Sequence, residues 1–138
     1  MHVGKYMTRD PITVSEDTSM KDAMLLLRTH HIRHLPVANG KILVGLISDR
    51  DVRKAAPSLL SGIGKNDYEQ VMEDTLVGRI MTREPFTVTE STSIIDAVSV
   101  LVEKKFGSLP VVNGAEVVGI FTEIDAMKIL LGRLNGAK

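Results

Sequence analysis

Cysteine and tryptophan are absent from this sequence, and only five of its residues are aromatic. Without cysteine there is no disulfide, no thiolate nucleophile and no cysteine-based zinc or iron–sulfur site. Net charge is missing too: 17 Lys and Arg balance 17 Asp and Glu, with no long run of either sign. Nothing of that kind draws a chain to nucleic acid or an anionic membrane, and few aromatics leave little for base stacking. An anionic ligand has to be small and locally bound. No stretch approaches the roughly 20 apolar residues of a membrane span, and the start MHVGKYMTRDPITV lacks the apolar core of a secretory signal. These absences predict a cytoplasmic protein with neither membrane nor nucleic acid as partner. What remains is a chain of 138 residues, 43% hydrophobic, enough for a compact domain with a real core.

The chain is a duplication. Shifted by 74 positions, residues 3–55 align with 77–129 without a gap, and 23 of these 53 positions are identical. VGKYMTRDPITVSEDTS faces VGRIMTREPFTVTESTS, and HLPVANGKILVG faces SLPVVNGAEVVG. Stacked repeat arrays usually need three or more units, so two copies are expected to pair about a pseudo-twofold axis. The division is repeat 1 over 1–60, a connector over 61–76 and repeat 2 over 77–138.

Each copy reads as strand, helix, strand, strand, helix. PITV and PFTV form short extended runs, since proline disfavours the helical region for the residue before it. Ser19-x-x-Asp22 and Ser93-x-x-Asp96 resemble capping boxes. They open helices whose apolar positions Met20, Ala23, Met24, Leu27 and Ile94, Ala97, Val98, Leu101 recur at i, i+3, i+4, i+7. Asn39-Gly40 and Asn113-Gly114 lie between two apolar β-rich runs, a hairpin signal. Such runs suit strands covered on both faces. A second helix follows near 49–60 and 123–134. The connector predicts a Gly/Ser turn around Ser61–Gly64 and a short helix over 66–76.

GLISDRD (45–51) returns as GIFTEID (119–125). Ser48-x-x-Asp51 and Thr122-x-x-Asp125 are capping-box sequences, and capping alone would explain either one. In both copies, however, the hydroxyl sits where a strand hands over to a helix, a place where free N–H groups suit a phosphate. A carboxylate one turn on can accept two hydrogen bonds from a ribose diol. The same residues can cap and bind. Arg50 adds a cation in the first copy where the second has Ile124, so the two sites should differ.

With these motifs in view, the chain resembles a pair of CBS (cystathionine-β-synthase) domains, a Bateman module, over nearly its whole length. The likeness is carried by MTRDPITV and MTREPFTV, HLPV and SLPV, the Asn-Gly hairpins and the two G-x-x-[ST]-x-x-D endings. The first half, with HIRHLPV, SDRD and AAPS, further resembles the CBS region of acetoin-utilisation regulatory proteins. The resemblance implies an α/β (α+β) fold, a tandem CBS-domain pair of two β-α-β-β-α repeats. It also implies two clefts between the paired repeats that take AMP, ADP or ATP, and in some members S-adenosylmethionine, as regulatory ligand rather than catalytic cofactor. Carried over residue by residue, Asp51 and Asp125 would hold the ribose hydroxyls, with Ser48 and Thr122 near ribose or phosphate. Thr8, Ile12 and Thr13, matched by Thr82, Phe86 and Thr87, would surround the base. Ile32, Arg33, His34, Leu35 and Pro36, matched by Phe106, Gly107, Ser108, Leu109 and Pro110, would complete the walls. The family pattern has each cleft shared, Asp125 facing the first repeat's leading strands and Asp51 the second's. Arg33 and His34 then serve the Asp125 cleft, and Arg50 serves the Asp51 cleft.

Other chemistries find less in the residues. His30, His31 and His34 invite a metal reading, but they divide between a helix end and a strand, without cysteine or a compact carboxylate set. Ser61-Gly-Ile-Gly-Lys65 lacks the glycine that a phosphate loop needs at Leu59 and the hydroxyl it needs at Asn66. No G-x-S-x-G, H-E-x-x-H or G-x-G-x-x-G occurs, so no enzyme activity is expected. The expectation is a non-catalytic sensor that signals through self-association, a homodimer by default, or through a target protein. The rival reading keeps the fold but leaves the clefts empty, as a dimerisation or interaction module.

Overall fold

The structure, a computed structural model, describes residues 1–136; residues 137 and 138, assigned above to the second repeat, lie outside the described residues. Along the chain the elements are α1 (Val3–Tyr6), β1 (Thr8–Arg9), α2 (Met20–Thr29), β2 (His34–Asn39), β3 (Ile42–Ser48), α3 (Asp49–Ala55), a 3-10 turn (Leu59–Ser61), α4 (Lys65–Asp74), α5 (Val77–Ile80), β4 (Thr82–Arg83), α6 (Ile94–Lys104), β5 (Ser108–Asn113), β6 (Glu116–Thr122) and α7 (Glu123–Leu134).

These elements form two compact units, and the units do not follow the repeats. One is Ile12–Glu84; the other is Met1–Pro11 together with the chain from Pro85 on. The leading segment of each repeat is therefore built into the body of the other. In the first unit β3 pairs antiparallel with β2 from His34↔Ser48 to Asn39↔Ile42, and with β4 at Gly45↔Arg83 and Leu46↔Thr82. In the second, β6 pairs with β5 from Ser108↔Thr122 to Asn113↔Glu116, and with β1 at Thr8↔Ile120 and Arg9↔Gly119. Each hairpin has a bulge at the same place, after Val37 and after Val111.

Each core confirms the exchange of segments. The first unit buries Met20, Ala23 and Leu27 of α2, Leu35, Val37 and Ile47 of the hairpin, and Val77 and Met81 from the second repeat's leading segment. The other buries Ile94, Ala97 and Leu101, Leu109, Val111 and Phe121, with Val3 and Met7 from the first repeat's leading segment. Fully burying one such side chain stabilises by about 1.5–3 kcal/mol. The incoming segments are also tied by backbone bonds: Gly4 N–H to Glu90 O at 2.9 Å and Val3 N–H to Thr92 O at 2.9 Å, with Gly78 to Glu16 O at 2.9 Å and Val77 to Thr18 O at 2.8 Å in the counterpart. Arg9 bonds the Glu90 carboxylate at 2.7 Å and Gly4 O at 3.0 Å; Arg83 bonds Glu16 at 2.7 Å and Gly78 O at 2.9 Å. Exposed pairs like these add at most about 1 kcal/mol each and chiefly fix orientation.

Close approach requires glycine on the receiving strand. A Cβ at Gly119 would stand 2.6 Å from Met7 Sδ and 2.9 Å from Thr8 O, and at Gly45 it would stand 2.5 Å from Met81 Sδ and 2.9 Å from Thr82 O. The two repeats solve one packing problem in the same way.

Several expectations need correction. The leading strands are Thr8–Arg9 and Thr82–Arg83, before the prolines; PITV and PFTV contribute only single parallel bridges, Val14↔Val37 and Val88↔Val111. Asp10 and Glu84 adopt left-handed backbone (φ 46° and 48°), and the next residue is a proline without an N–H, so the ladder stops there. A helical turn, α1 or α5, precedes each leading strand and was not read from the sequence. The hairpin loops are Gly40–Lys41 and Gly114–Ala115, one residue later than Asn-Gly suggests; Gly40 and Gly114 take φ of 62° and 63° at the first loop position, where a type II′ turn wants glycine. Ser19 and Ser93 accept from the N–H of Asp22 and Asp96, without the reciprocal bond of a full box. The helix expected over 49–60 stops at Ala55, because Pro57 pushes Ala56 into extended backbone. The α7 range agrees with the sequence reading, and the connector helix begins and ends within two residues of it.

We expect Gly119→Ala and Gly45→Ala each to lower unfolding stability by about 1–3 kcal/mol through overpacking against methionine and backbone. Urea denaturation of the two variants checks this; unchanged midpoints would mean that the methionine seats carry no strain-sensitive contact.

Candidate functional site

Ser48 and Thr122 end β3 and β6 and cap the helices that follow. Asp51 N–H donates to Ser48 Oγ at 3.1 Å, and Ser48 N–H donates back to Asp51 Oδ2 at 2.8 Å. In the other copy Asp125 N–H donates to Thr122 Oγ1 at 3.1 Å, while Thr122 N–H at 2.9 Å and the Thr122 hydroxyl at 3.1 Å both donate to Asp125 Oδ2. Both are reciprocal capping boxes, worth about 1 kcal/mol each. One carboxylate oxygen is consumed by the cap. The other, Oδ1 of Asp51 and of Asp125, accepts no hydrogen bond from any described residue, and both side chains are half-buried. A carboxylate fixed through Oδ2 is held in one orientation, and its second oxygen stays able to accept donors such as vicinal hydroxyls.

The strands bring some of the other expected residues alongside. His34 lies opposite Ser48 and Ser108 opposite Thr122. Asp49 N–H bonds Arg33 O at 2.9 Å and Glu123 N–H bonds Gly107 O at 3.0 Å, fixing each loop before β2 and β5 against the start of α3 or α7. Thr8 pairs with Ile120 two residues before Thr122, and Thr82 pairs with Leu46 two before Ser48. The leading strand of each repeat thus lies beside the strand that carries the other repeat's aspartate. Ile32 is half-buried and packs on its core, and Leu35, Pro36, Leu109 and Pro110 are buried as core residues. Arg33, Arg50, Thr13, Thr8 and Thr82 are exposed, and Thr87 and Gly107 are intermediate. Ile12, Phe86 and Phe106 keep 36%, 45% and 40% of their surface exposed.

Ser108 is the buried polar residue among these positions, 3% exposed, and its Oγ has no hydrogen-bond partner among the described residues. Leaving such a hydroxyl unsatisfied costs about 1–3 kcal/mol. His30 caps α2 and His31 takes left-handed backbone just after it, whereas His34 is on β2.

One cavity reaches Asp125. It measures about 460 Å³ and lies between α1 and α7, lined by Met1, Lys5, Tyr6, Asp125, Lys128 and Arg133 among others, within the usual size range of small-molecule pockets. Sequence reasoning missed its lysines and arginine. Lys128 was visible as one of the 23 identities, matching Lys54, but Arg133 lies beyond the aligned repeat and had no counterpart to draw attention to it.

Comparison with known proteins gives the same architecture. A family model for the CBS domain matches residues 3–58 and 77–132. Inosine-5′-monophosphate dehydrogenase of Korarchaeum cryptofilum is 35% identical over 121 residues, 87% of this chain. The chain spans only 22% of that enzyme, and 64% of the Arabidopsis thaliana chloroplastic CBS-domain protein CBSX1. Among solved structures, an acetoin utilization protein (AcuB) from Vibrio cholerae superposes with a TM-score of 0.81 at 26% identity, covering 98% of this chain and 93% of its own. CBSX2 from Arabidopsis thaliana, in complex with AMP, gives 0.77 at 32% identity, covering 94% and 96%. The CBS domain pair of protein MJ0100, in complex with 5′-methylthioadenosine and S-adenosyl-L-methionine, gives 0.78 at 26% identity, covering 94% and 99%.

Proposed function

Because the chain belongs to the CBS-domain family, with two copies of the domain, we propose that it is a non-catalytic regulatory module binding an adenine nucleotide, AMP, ADP or ATP, at its two aspartate-ended motifs. The observation that carries this reading is the pair of half-buried aspartates whose Oδ2 is locked in a cap while Oδ1 is uncommitted. A ribose offers the two hydroxyl donors that such an oxygen accepts. The exposed Phe86, Phe106 and Ile12 offer apolar surface to a base, and the orphaned Ser108 hydroxyl offers a polar contact. That similar CBS pairs were crystallised with AMP and with S-adenosyl-L-methionine supports the adenine class; the cations Arg33 and Arg50 favour a phosphorylated member of it.

A second observation favours self-association as the output. Helix α7 buries no residue, and Ile124, Met127, Leu131 and Leu134, each more than half exposed, fall at i, i+3, i+7, i+10 on one face. An uncharged helical stripe of this kind is self-complementary, so its occupant is a second copy of the chain in a homodimer. The corresponding helix α3 carries Arg50, Arg53 and Lys54 as exposed residues instead. A nucleotide changes this assembly only as far as it binds one arrangement more tightly than another.

Calorimetric titration with AMP and ATP is expected to give binding that falls by about tenfold or more in Asp51→Ala/Asp125→Ala; undiminished binding in that variant would place the ligand elsewhere. Light scattering is expected to find a dimer that Met127→Glu/Leu131→Glu converts to monomer, and a wild-type monomer at high micromolar concentration would remove the homodimer.

A further inference from the structure

We infer that the cavity between α1 and α7 is a polyphosphate arm of the Asp125 site, so that this copy takes nucleoside di- and triphosphates in preference to AMP. The inference rests on the reading that Asp125 holds the ribose.

The residues that face the cavity from α7 are Asp125, Lys128 about one turn on, and Arg133 a little over two turns on. At 1.5 Å per residue, Arg133 lies about 12 Å along the axis from Asp125, with Lys128 between them. Lys5 adds a third cation from α1. None of the three forms an ion pair among the described residues: the ion pairs there are Arg9–Glu90, Lys21–Glu73, Arg53–Asp49 and Arg83–Glu16. Arg133 instead directs its guanidinium to Met1 Sδ at 3.0 Å, a weak acceptor, and Lys5 Nζ stands 6.0 Å from the Tyr6 ring centroid. Three cations around one concave surface, opposed by a single carboxylate, suit an anion whose charge is spread along a chain. Phosphate oxygens match the fork of arginine and the point charge of lysine. A lone α-phosphate beside the ribose can reach the Lys128 end of the row; Arg133 is reached by a longer chain.

The first copy lacks this row. Lys54 and Arg79 occupy the positions of Lys128 and Lys5, but α3 ends at Ala55 before Pro57, and the residue aligned with Arg133 is Leu59, within a 3-10 turn. The turn of α7 that carries Gly132 and Arg133 has no helical counterpart there. The two copies therefore differ in the chain length they accommodate.

The test is calorimetry of the full chain with AMP, ADP and ATP. The wild type is expected to bind ATP about tenfold more tightly than AMP. Lys128→Gln/Arg133→Gln should bring that ratio to within about threefold, as should Lys5→Gln in part, while Lys41→Gln, an exposed cation at a hairpin tip, should preserve it. Circular dichroism verifies that each variant is folded, which is expected since all four side chains are exposed. Equal affinity of the wild type for the three nucleotides, or a ratio that survives in the double variant, would overturn the polyphosphate arm while AMP binding leaves the ribose reading standing. Failure of all three nucleotides to bind would bring down the ribose reading and this inference with it.

Discussion

The seat of one methionine on one glycine, made twice, is the contact on which the rest of this molecule depends. Met7 rests on Gly119 and Met81 on Gly45, and each seat carries a short strand from one repeat into the sheet formed by the other. The neighbouring valines, Val3 and Val77, are fully buried beside them. A repeat of this size cannot cover its own sheet. Exchanging the leading segments gives each body a third strand and two more core side chains without adding a new element to the chain.

That exchange also explains where the aspartates come to lie. Gly45 and Gly119 receive the incoming strand, and three residues later β3 and β6 end in the capping hydroxyl. The strand that docks and the helix that starts are therefore held in fixed register by a few covalent bonds. The capping box then aims the carboxylate. The proposed ligand role would not compete with the structural one, because the cap uses only one oxygen of the group.

Much of this was legible in the sequence. The shift of 74 residues exposed the duplication, and helical periodicity found α2 and α6 because their buried faces recur at the same spacing. Motifs also marked Ser48, Asp51, Thr122 and Asp125, whose capping geometry is local and so written in four consecutive residues. What was not legible depended on distant partners. The leading strands lie before Pro11 and Pro85 because Arg9 and Arg83 pair with strands of the other repeat, which periodicity in PITV cannot reveal. The exchange of segments between bodies is invisible to an alignment in which both repeats look continuous. The hairpin loops lie one residue later than Asn-Gly suggests, and each ladder carries a bulge after Val37 or Val111 that no local motif announces. Lys5 faces Asp125 and Arg133 only across the cavity between α1 and α7, elements at opposite ends of the chain.

The two copies share their caps yet diverge around them: Arg50 stands against Ile124, His34 against Ser108, and a helix stopped by Pro57 against one that runs to Leu134. Divergence of this kind is what two sites with one sugar-binding chemistry and different charge surroundings would carry. The claim common to both is that the uncommitted oxygen of each aspartate accepts the sugar hydroxyls. Comparing AMP with 2′-deoxy-AMP by calorimetry tests it most directly, since the two ligands differ by one hydroxyl and share base and phosphate. A loss of about tenfold or more for the deoxy compound is the result this account requires. Equal affinity would mean that the carboxylates only cap their helices.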